Sequence, residues 1–458
     1  MDAEYRAFLA AKAPRALATG IEPGPMPAHL FDFQADVTAF LLRQGRGAAF
    51  LGTGLGKSAI QIEWSRQAAE ATNGRALILT PLAVARQIET EARRWGYDAR
   101  VIRSQDDVRE GINICNYDRI DRMDPDAFGS VSLDESSCIK NLVGATTRKL
   151  IEAFAGHRFR LCCTATPAPN DHMELGTHSE FLGLMRSAEM LSRWFINDTS
   201  TASQNWRIKG HAYVAFWDWI ASWARCADSP GDLGFDGSRF VLPTLTVHRH
   251  KVIAEAKTLD GTLFGADMSA TNMHALKRQT AEIRARMVAD LVAAEPREPW
   301  VIWCDNDAEA HALTAAIPDA VEVRGSHSVE AKESALADFA DGRALHLISK
   351  PSICGWGCNW QHAARVAFVG RSFSYEAYFQ AVRRCWRFGQ TRPVHVHIAV
   401  AEGEDQIGRV IDRKADGHAQ MKRAMAAAMR RTRGTAAQRM VAYNPTFRME
   451  LPAWLSAE

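Results

Sequence analysis

Short apolar runs alternate with longer amphipathic stretches through the first part of the chain. Five of these runs predict strands, at residues 48–51, 76–80, 112–115, 131–133 and 160–163. The stretches between them carry apolar residues at helical spacing, so strands and helices alternate. Such alternation is typical of a parallel sheet that is covered by helices on both faces. We therefore expect residues 1–178 to form one α/β domain.

The pattern changes between residues 179 and 255. Strand-like runs are missing there, and five of the thirteen tryptophans of the chain fall in this stretch. Apolar side chains recur at helical spacing at Tyr213, Phe216, Trp217, Ile220 and Ala224. The stretch therefore predicts a helical insertion. Its aromatic stripe has two interpretations: a core that packs helices together, which is the usual role of such a stripe, or a platform for stacking nucleic-acid bases.

A second α/β pattern follows at residues 256–405. Apolar runs predict strands at 300–304, 321–323, 344–349, 366–369 and 394–400. Ahead of them, one helix is predicted with an apolar face formed by Leu276, Thr280, Ile283, Met287 and Leu291. Residues 406–458 predict a helical tail with a basic patch. That patch either contacts a DNA backbone or is a solvated helix face, and it consists of Lys422, Arg423, Arg430, Arg431 and Arg433.

The composition limits the choice of function without deciding it. The chain has 458 residues, 47% hydrophobic and 24% charged, as in soluble globular proteins of two or three domains. No apolar run approaches the about 20 residues of a membrane span, and the chain does not begin with a secretory signal. The nine cysteines are scattered, so we expect a cytoplasmic protein with reduced thiols. Because the net charge is only +2, any nucleic-acid contact has to come from a local basic groove.

Residues 52–58 link a predicted strand to a predicted helix and are rich in glycine. Glycines allow backbone N–H groups to surround phosphate oxygens, and a helix N-terminus adds its positive dipole. We expect Gly54 and Gly56 to shape this cradle, Lys57 to reach the β- and γ-phosphates, and the Ser58 hydroxyl to bind magnesium. The loop departs from the strict phosphate-binding pattern, which has a glycine where this chain has Leu51.

An acidic pair, Asp134 and Glu135, directly follows the predicted strand at 131–133. In nucleoside triphosphatases, an aspartate at such a position holds magnesium, and the neighbouring glutamate orients and deprotonates the attacking water. An acidic pair after a strand also often caps a helix, and taken alone this pair fits both roles.

A series of segments resembles, in order, the motifs of the Swi/Snf-type translocase ATPases of helicase superfamily two, which carry a DEAH-like acidic box. Phe33-Gln34 resembles the glutamine motif, residues 132–141 the acidic box and residues 161–170 the third motif. In the second domain, residues 300–305 with 324–326 resemble the fourth motif, residues 349–359 the fifth and residues 380–390 the sixth. The matches run from about residue 30 to 400, which is most of the chain.

The resemblance implies two RecA-like parallel-sheet domains in tandem, at residues 1–178 and 256–405, with the helical insertion at 179–255 between them and a basic helical extension at 406–458. It implies that ATP and magnesium bind in the cleft between the domains. Gln34, Gly357 and Gln380 are expected to contribute to the nucleotide site, and Asp134 with Ser58 to the metal.

Two arginines of the sixth motif complete the expected site. Arg384 and Arg387 are three residues apart, so on a helix both would project from one face. A guanidinium supplied across the cleft stabilises the negative charge that builds on the γ-phosphate during hydrolysis. An isolated basic run of this kind is more typical of a solvated helix face.

The resemblance also assigns one set of residues to the nucleic-acid backbone. These are Pro81, Asn116, Tyr117, Thr164, Thr166, Arg324, Gly325, Ser349 and Asn359. Contacts of this kind position a protein without reading sequence. The expected partner is therefore duplex DNA, bound without sequence specificity by a monomer, with replication or recombination proteins as possible further partners.

The function that follows is a DNA-stimulated ATPase that translocates along double-stranded DNA. Two alternatives stay open: a helicase that separates strands of DNA or RNA, and a weakly catalytic, nucleotide-gated DNA clamp or scaffold. The chain departs from the family at Ser137, where a histidine is usual, and at Lys332, where an arginine is frequent. Its compact build is similar to helicases carried by bacteriophages and prophages, which would place it in a bacterial cytoplasm.

Overall fold

The computed structural model describes residues 15–141, 143–198, 205–252, 270–354, 359–401 and 404–432. Within these ranges the strands form two parallel sheets, of seven and six strands, and one two-stranded hairpin. Helices pack on the sheets. The expected fold class, α/β with two RecA-like parallel-sheet domains in tandem, is confirmed.

The first six strands belong to the first sheet. They are β1 (Arg46–Leu51), β2 (Arg75–Thr80), β3 (Ala99–Val101), β4 (Gly111–Asn116), β5 (Ser130–Asp134) and β6 (Phe159–Cys163). The helices along this part of the chain are α1 (Asp32–Gln44), α2 (Lys57–Glu70), α3 (Ala85–Arg94), α4 (Ala145–Ala153), α5 (Leu175–Leu182) and α6 (Ser187–Trp194). Side chains of β2 enter a core on each face of the sheet, since Leu77 and Leu79 join one hydrophobic cluster and Ile78 another. Burial on both faces explains why these strands read as continuous apolar runs.

The prediction that strands are missing from residues 179–255 is wrong. β7 (Phe195–Asp198) and β8 (Asn205–Ile208) form the antiparallel hairpin, α7 (Tyr213–Trp223) follows, and β9 (Ala224–Ala227) pairs with β1. The first sheet therefore has the order β3-β4-β2-β5-β6-β1-β9. β9 is four small or charged residues long, so its sequence gives little strand signal, and pairing with β1 makes it a strand.

The aromatic stripe on α7 packs into the core of the first domain. Phe216, Trp217 and Ile220 are buried and belong to the same hydrophobic cluster as the first sheet, whereas Tyr213 is half exposed. The interpretation as a helix-packing core is confirmed, because rings buried in this way present no free face to a base.

The second sheet contains the remaining strands, all parallel. These are β10 (Leu245–Val252), β11 (Trp300–Trp303), β12 (Val321–Val323), β13 (His346–Ser349), β14 (Arg365–Phe368) and β15 (Val394–Ala401), in the order β10-β15-β14-β11-β13-β12. Its helices are α8 (Ala270–Gln279), α9 (Ala281–Ala294), α10 (Asp307–Ala316), α11 (Val329–Ala340), α12 (Pro351–Cys354) and α13 (Tyr375–Val382). The boundaries at 178, 255 and 405 stay predictions, but strand pairing assigns β9 to the first sheet and β10 to the second.

The prediction of one helix with a continuous apolar face ahead of β11 is wrong. The chain breaks between α8 and α9 at Thr280, and Ile283 on α9 is 43% exposed. The buried face instead includes Arg284. Its guanidinium pairs with Glu309 at 2.9 Å and donates to the carbonyl oxygen of Lys277 at 2.6 Å. A paired arginine therefore occupies a core position that hydrophobic periodicity does not reveal.

The last helix, α14 (Asp405–Thr432), contacts both domains. Near its start, Ile407 and Ile411 join a cluster with Leu276 and Tyr375 of the second domain. Near its end, three methionines enter the core of the first domain, namely Met421, Met425 and Met429. The predicted helical tail is thus a buried element that joins two cores.

The basic patch of this helix is divided by its contacts. Lys422 is buried and pairs with Asp228 at 2.7 Å, and Arg431 pairs with Asp218 at 2.7 Å. Arg433 lies outside the described residues. Two members of the patch are therefore engaged within the protein.

Candidate nucleotide-hydrolysis site

The glycine-rich loop follows the carboxyl end of β1 and leads into α2. Gly54 has a φ of +90° and Gly56 a φ of +75°, a backbone conformation that favours glycine. A Cβ atom on Gly56 would lie 2.1 Å from Nε2 of Gln34. Both glycines are therefore required by the local backbone and by close packing. Leu51, where the strict pattern has a glycine, is the buried last residue of β1 and not part of the turn.

Lys57 is the first residue of α2 and its side chain turns back over the loop. The ammonium Nζ donates to the carbonyl oxygen of Leu51 at 3.1 Å. Burial lowers the pKa of Lys57, while the nearby charges of Glu135 and Asp134 act in the opposite direction. The lysine thus lies close to the acidic pair.

Gln34 lies under the loop, on α1. Its Nε2 donates to the carbonyl oxygen of Leu55 at 3.1 Å, and its Oε1 accepts from the backbone N–H of Phe31 at 3.0 Å. Phe31 and Phe33, beside Gln34 in the sequence, both contact Phe240, and Phe240 stacks on Phe388 of the second domain at 4.6 Å between centroids. Sequence reasoning missed Phe240, because it lies in a loop far along the chain from Gln34.

Asp134 is the last residue of β5, and its Oδ2 accepts from the Thr80 hydroxyl at 2.9 Å. Burial, together with the charge of Glu135, raises the pKa of Asp134 to about 7. Glu135 has a φ of +49°, the one positive φ of a non-glycine residue in the ranges that the structure describes. Such a backbone conformation costs free energy and is retained mainly at functional positions. Thr164 approaches the carboxylate, with its Oγ1 3.4 Å from Oε2 of Glu135.

A histidine that sequence reasoning missed lies beneath the acidic pair. His178 is fully buried on α5, with Nε2 3.1 Å from Oγ of Ser136 and Nδ1 3.2 Å from the carbonyl oxygen of Glu174. Burial lowers the pKa of His178 to about 4, so the imidazole is neutral at physiological pH. The only sequence hint is its position one helical turn after Glu174. His178 links Ser136, next to the acidic pair, to Glu174 in the segment that follows β6.

The expected arginines do not lie on a helix, so that prediction is wrong. α13 ends at Val382, and Arg384 and Arg387 lie in the turns that follow it. The helix does not continue because the carbonyl oxygen of Arg384 accepts from the N–H of Trp360 at 2.9 Å. Nε2 of Gln390 then holds the turns together, for example through the carbonyl oxygen of Ala363 at 2.9 Å.

The two arginines have different surroundings. Arg384 is buried and donates to the side-chain oxygen of Gln380 at 2.7 Å. Arg387 donates to Oδ1 of Asn359, and burial next to Arg384 lowers its pKa to about 10. The charges of Glu91 and Glu135 in the first domain partly offset that decrease. Charges of the first domain thus act on Arg387 across the cleft.

The same turns contact the glycine-rich loop directly. A Cβ atom on Gly54 would lie 2.8 Å from the backbone nitrogen of Phe388. The structure thus brings together Gln34, the loop with Lys57 and Ser58, the acidic pair and Arg387. The expected nucleotide contact Gly357 lies outside the described residues. Nε2 of Gln380 is buried and has no hydrogen-bond partner within the described part of the chain.

Most of the residues assigned to nucleic acid lie at or just after the carboxyl ends of strands in both sheets, but several are engaged internally. Thr164, Thr166 and Ser349 are buried, and Ser349 donates to the carbonyl oxygen of Val323 at 2.9 Å. The Tyr117 hydroxyl donates to the carbonyl oxygen of Asp134 at 2.7 Å.

Of the remaining residues assigned to nucleic acid, two are hydrogen-bonded within the protein and three are at least partly exposed. Oδ1 of Asn116 accepts from the N–H of Asp118 at 3.4 Å, and Asn359 holds Arg387. Pro81 and Arg324 are partly exposed, and Gly325 is exposed. The assignment of this set to nucleic acid stays a prediction.

The donor set fits magnesium bound together with a nucleotide. Magnesium takes oxygen ligands and usually has one or two protein ligands, with phosphates and water completing its shell. The Ser58 hydroxyl and the Asp134 carboxylate are such ligands. Among the described residues, no group of three or more His, Cys, Asp or Glu side chains is arranged to hold a metal by itself. No helix within the described ranges is long and apolar enough to cross a membrane.

Comparisons with known proteins give a likeness in structure only. No protein-family model matches the sequence, and no curated protein matches it either. Among solved structures, the chain is similar to the SWI2/SNF2 ATPase core of Sulfolobus solfataricus in complex with double-stranded DNA, with 16% sequence identity and a TM-score of 0.41. The match covers 89% of this chain and 95% of that one.

Proposed function

We propose that this protein is an ATP-driven nucleic-acid motor that translocates on double-stranded DNA. The observation that carries the proposal is the convergence at one cleft of a glycine-rich loop, an acidic pair and an arginine from the opposite domain. A nucleotide held by one domain is then hydrolysed only when the other domain supplies its arginine.

Each group has a distinct task in hydrolysis. The loop N–H groups and Lys57 hold the phosphates, and Gln34 fixes the shape of the loop from below. Glu135 orients and deprotonates the attacking water. Arg387 stabilises the charge that develops on the γ-phosphate, because a preorganised cation in a water-poor cleft interacts strongly with it. Arg384 supports the turns through its contact with Gln380.

Ser58 and Asp134 would hold magnesium, which when bound neutralises phosphate charge. Burial and the charge of Glu135 raise the pKa of Asp134, and a bound dication would lower it again by favouring the ionised carboxylate. Thr80 keeps Oδ2 of Asp134 in place through its hydroxyl.

The proposed substrate track is the backbone of duplex DNA along the carboxyl ends of the two sheets. Pro81 and Arg324, which are partly exposed and follow β2 and β12, support this placement. The net charge of +2 favours a local contact over binding by bulk charge. We further propose a cytoplasmic location and a kinship with compact phage-type translocases of the Swi/Snf kind.

The decisive experiment measures steady-state ATP hydrolysis with no nucleic acid, duplex DNA, single-stranded DNA and RNA, using Lys57→Ala as the inactive control. We expect duplex DNA to give the largest increase in kcat. If none of the three polymers stimulates hydrolysis, the proposal that the protein is a nucleic-acid motor is refuted.

A triplex-displacement assay then tests movement along the duplex, and a forked-duplex assay tests strand separation. Displacement of the third strand without unwinding supports the translocase. Unwinding of the fork would instead support the alternative of a strand-separating helicase.

A further inference from the structure

A buried carboxylate of the second domain lies against two segments of the first. Glu376 is in the first turn of α13 and is 4% exposed. Its Oε2 accepts from Nζ of Lys140, and its Oε1 is 3.4 Å from the hydroxyl Oγ1 of Thr166. Lys140 comes five residues after Glu135, and Thr166 lies just beyond the end of β6. One side chain thus touches both segments that frame the acidic pair.

Both hydrogen-bond partners of Glu376 within the described residues belong to the first domain. A buried carboxylate is costly unless it is paired, and an ion pair that closes between two surfaces adds little net affinity but fixes their register. Glu376 is therefore satisfied inside the protein only when the two domains meet in this one arrangement.

A second contact holds the same region of the first domain. Lys414 of α14 donates to Oδ1 of Asn170 at 2.8 Å and to the carbonyl oxygen of Phe373 at 3.2 Å. The carboxylate of Glu174 belongs to the same region, because its Oε1 accepts from Nδ2 of Asn170 at 2.7 Å. The segment after β6 is thus contacted at two points, by Glu376 of α13 at Thr166 and by Lys414 of α14 at Asn170.

α13 connects Glu376 to the arginine turns. Glu376 and Gln380 are four residues apart on α13, so they lie on one face of this helix. Arg384 contacts Gln380, and the turns that carry Arg387 follow immediately. A shift of α13 relative to Lys140 would therefore move Arg387 relative to the glycine-rich loop.

We propose that Glu376 is a positioning residue: by locking α13 onto Lys140 and Thr166, it sets Arg387 at the distance from the nucleotide that hydrolysis requires. This inference rests on the proposed function. Glu376 does not touch the nucleotide itself, and acts through the placement of the turn that carries Arg387.

The first test is Glu376→Gln, which keeps the shape of the side chain and removes its charge. We expect DNA-stimulated kcat to fall about tenfold, whereas the KM for ATP changes less than about twofold, because the loop and Gln34 lie in the first domain. Glu298→Gln is the matched control, since Glu298 pairs with Arg392 at 2.7 Å within the second domain. It should leave both constants unchanged.

The second test reverses the pair. Lys140→Glu and Glu376→Lys should each lower kcat, and the double variant should recover it to within about threefold of the wild type. The thermal midpoint, measured without nucleotide, should show the same recovery. If the loss of kcat in the double variant equals the product of the losses in the two single variants, the proposed role of the Lys140–Glu376 contact is refuted.

The two proposals fail in different ways. A wild-type chain that hydrolyses no ATP under any condition would refute the proposed function, and the thermal midpoints would still show whether the pair forms. A wild-type chain with normal turnover and a Glu376→Gln variant with unchanged kcat would refute only the positioning role.

Discussion

Single residues at the cleft are held in conformations and charge states that most sequences avoid. Gly54 and Gly56 have positive φ values, and Glu135 shares that property without being glycine. Asp134 is a buried carboxyl group beside a second one, and its pKa is raised to about 7. Such concentrations of strain and perturbed ionisation are typical of catalytic sites.

Gly56→Ala should weaken nucleotide binding with little loss of overall fold. The added Cβ would meet Nε2 of Gln34 at 2.1 Å, and a φ of +75° disfavours any side chain. We expect at least about a tenfold rise in the nucleotide dissociation constant, measured by fluorescence of a labelled nucleotide. Gly156→Ala is the control, because nothing lies within 4 Å of the added atom there. If both variants bind the nucleotide equally well, the close packing of Gly56 against Gln34 is not needed for binding.

Asp134→Asn should stabilise the protein at high pH while abolishing hydrolysis. The raised pKa means that the native chain holds a proton between about pH 4 and 7 that the unfolded chain releases, so stability is lost as pH rises through this range. Removing the charge should therefore increase the free energy of unfolding by about 1–3 kcal/mol at pH 8, and by much less at pH 4. Urea unfolding at the two pH values measures this.

Asp107→Asn is the control, and it should change the free energy of unfolding at pH 8 in the opposite direction. Backbone hydrogen bonds lower the pKa of Asp107, so its charge stabilises the folded state at neutral pH and that stability is lost as pH falls. A gain in stability at pH 8 for both variants would indicate a general effect of removing charge.

At the scale of elements, the long final helix α14 contributes side chains to the hydrophobic cores of both domains. Met421, Met425 and Met429 enter the first core, and Ile407 with Ile411 enters a cluster of the second domain. A solvated basic helix would have no such apolar contacts with both domains. The helix therefore stabilises each domain and restricts how far they separate.

Met425→Ala should destabilise the first domain by about 2–4 kcal/mol, because truncating a buried methionine removes apolar contacts and leaves a cavity. The measurement is denaturant unfolding followed by tryptophan fluorescence, since α7 carries buried tryptophans next to α14. Arg423→Ala, on the exposed side of the same helix, is the control and should change the unfolding free energy by less than about 0.5 kcal/mol.

Element by element, the sequence predicted the apolar strands well and the contact-dependent ones poorly. β1, β2, β4, β5 and β6 are buried on both faces, so their apolar runs identify them. β9 forms because β1 offers it a free edge, and Arg284 is buried because Glu309 pairs with it. His178 could not be predicted, since Ser136, which its side chain contacts, lies 42 residues away along the chain. Contacts between distant segments leave no local pattern.

At the scale of the whole molecule, the proposed hydrolysis depends on how the two domains meet. Arg387 and Phe388 come from the second domain, whereas the loop that they approach belongs to the first. The glycine-rich loop and the acidic pair were recognisable from local sequence. Their distance from Arg387 was not, because it is set by the packing of α13 and α14.

Arg387→Ala should lower kcat by about 100-fold or more and leave the nucleotide dissociation constant within about threefold, because the guanidinium acts mainly on charge that develops during hydrolysis. Single-turnover hydrolysis and equilibrium nucleotide binding separate the two effects. Arg392→Ala, at a surface pair of the same domain, serves as the control. Normal turnover by Arg387→Ala would refute its assigned role.

The contact between β9 and α14 has a consequence for synthesis of the protein. The N–H of Cys226 lies 3.2 Å from Sδ of Met429, a separation of 203 residues along the chain. Domains generally fold as they leave the ribosome, N-terminal part first. Here the first domain exposes part of its core until the entire second domain has been made. The nascent chain is therefore a candidate for chaperone binding during that interval. The first domain is completed only after the second domain, which carries Arg387, has been synthesised.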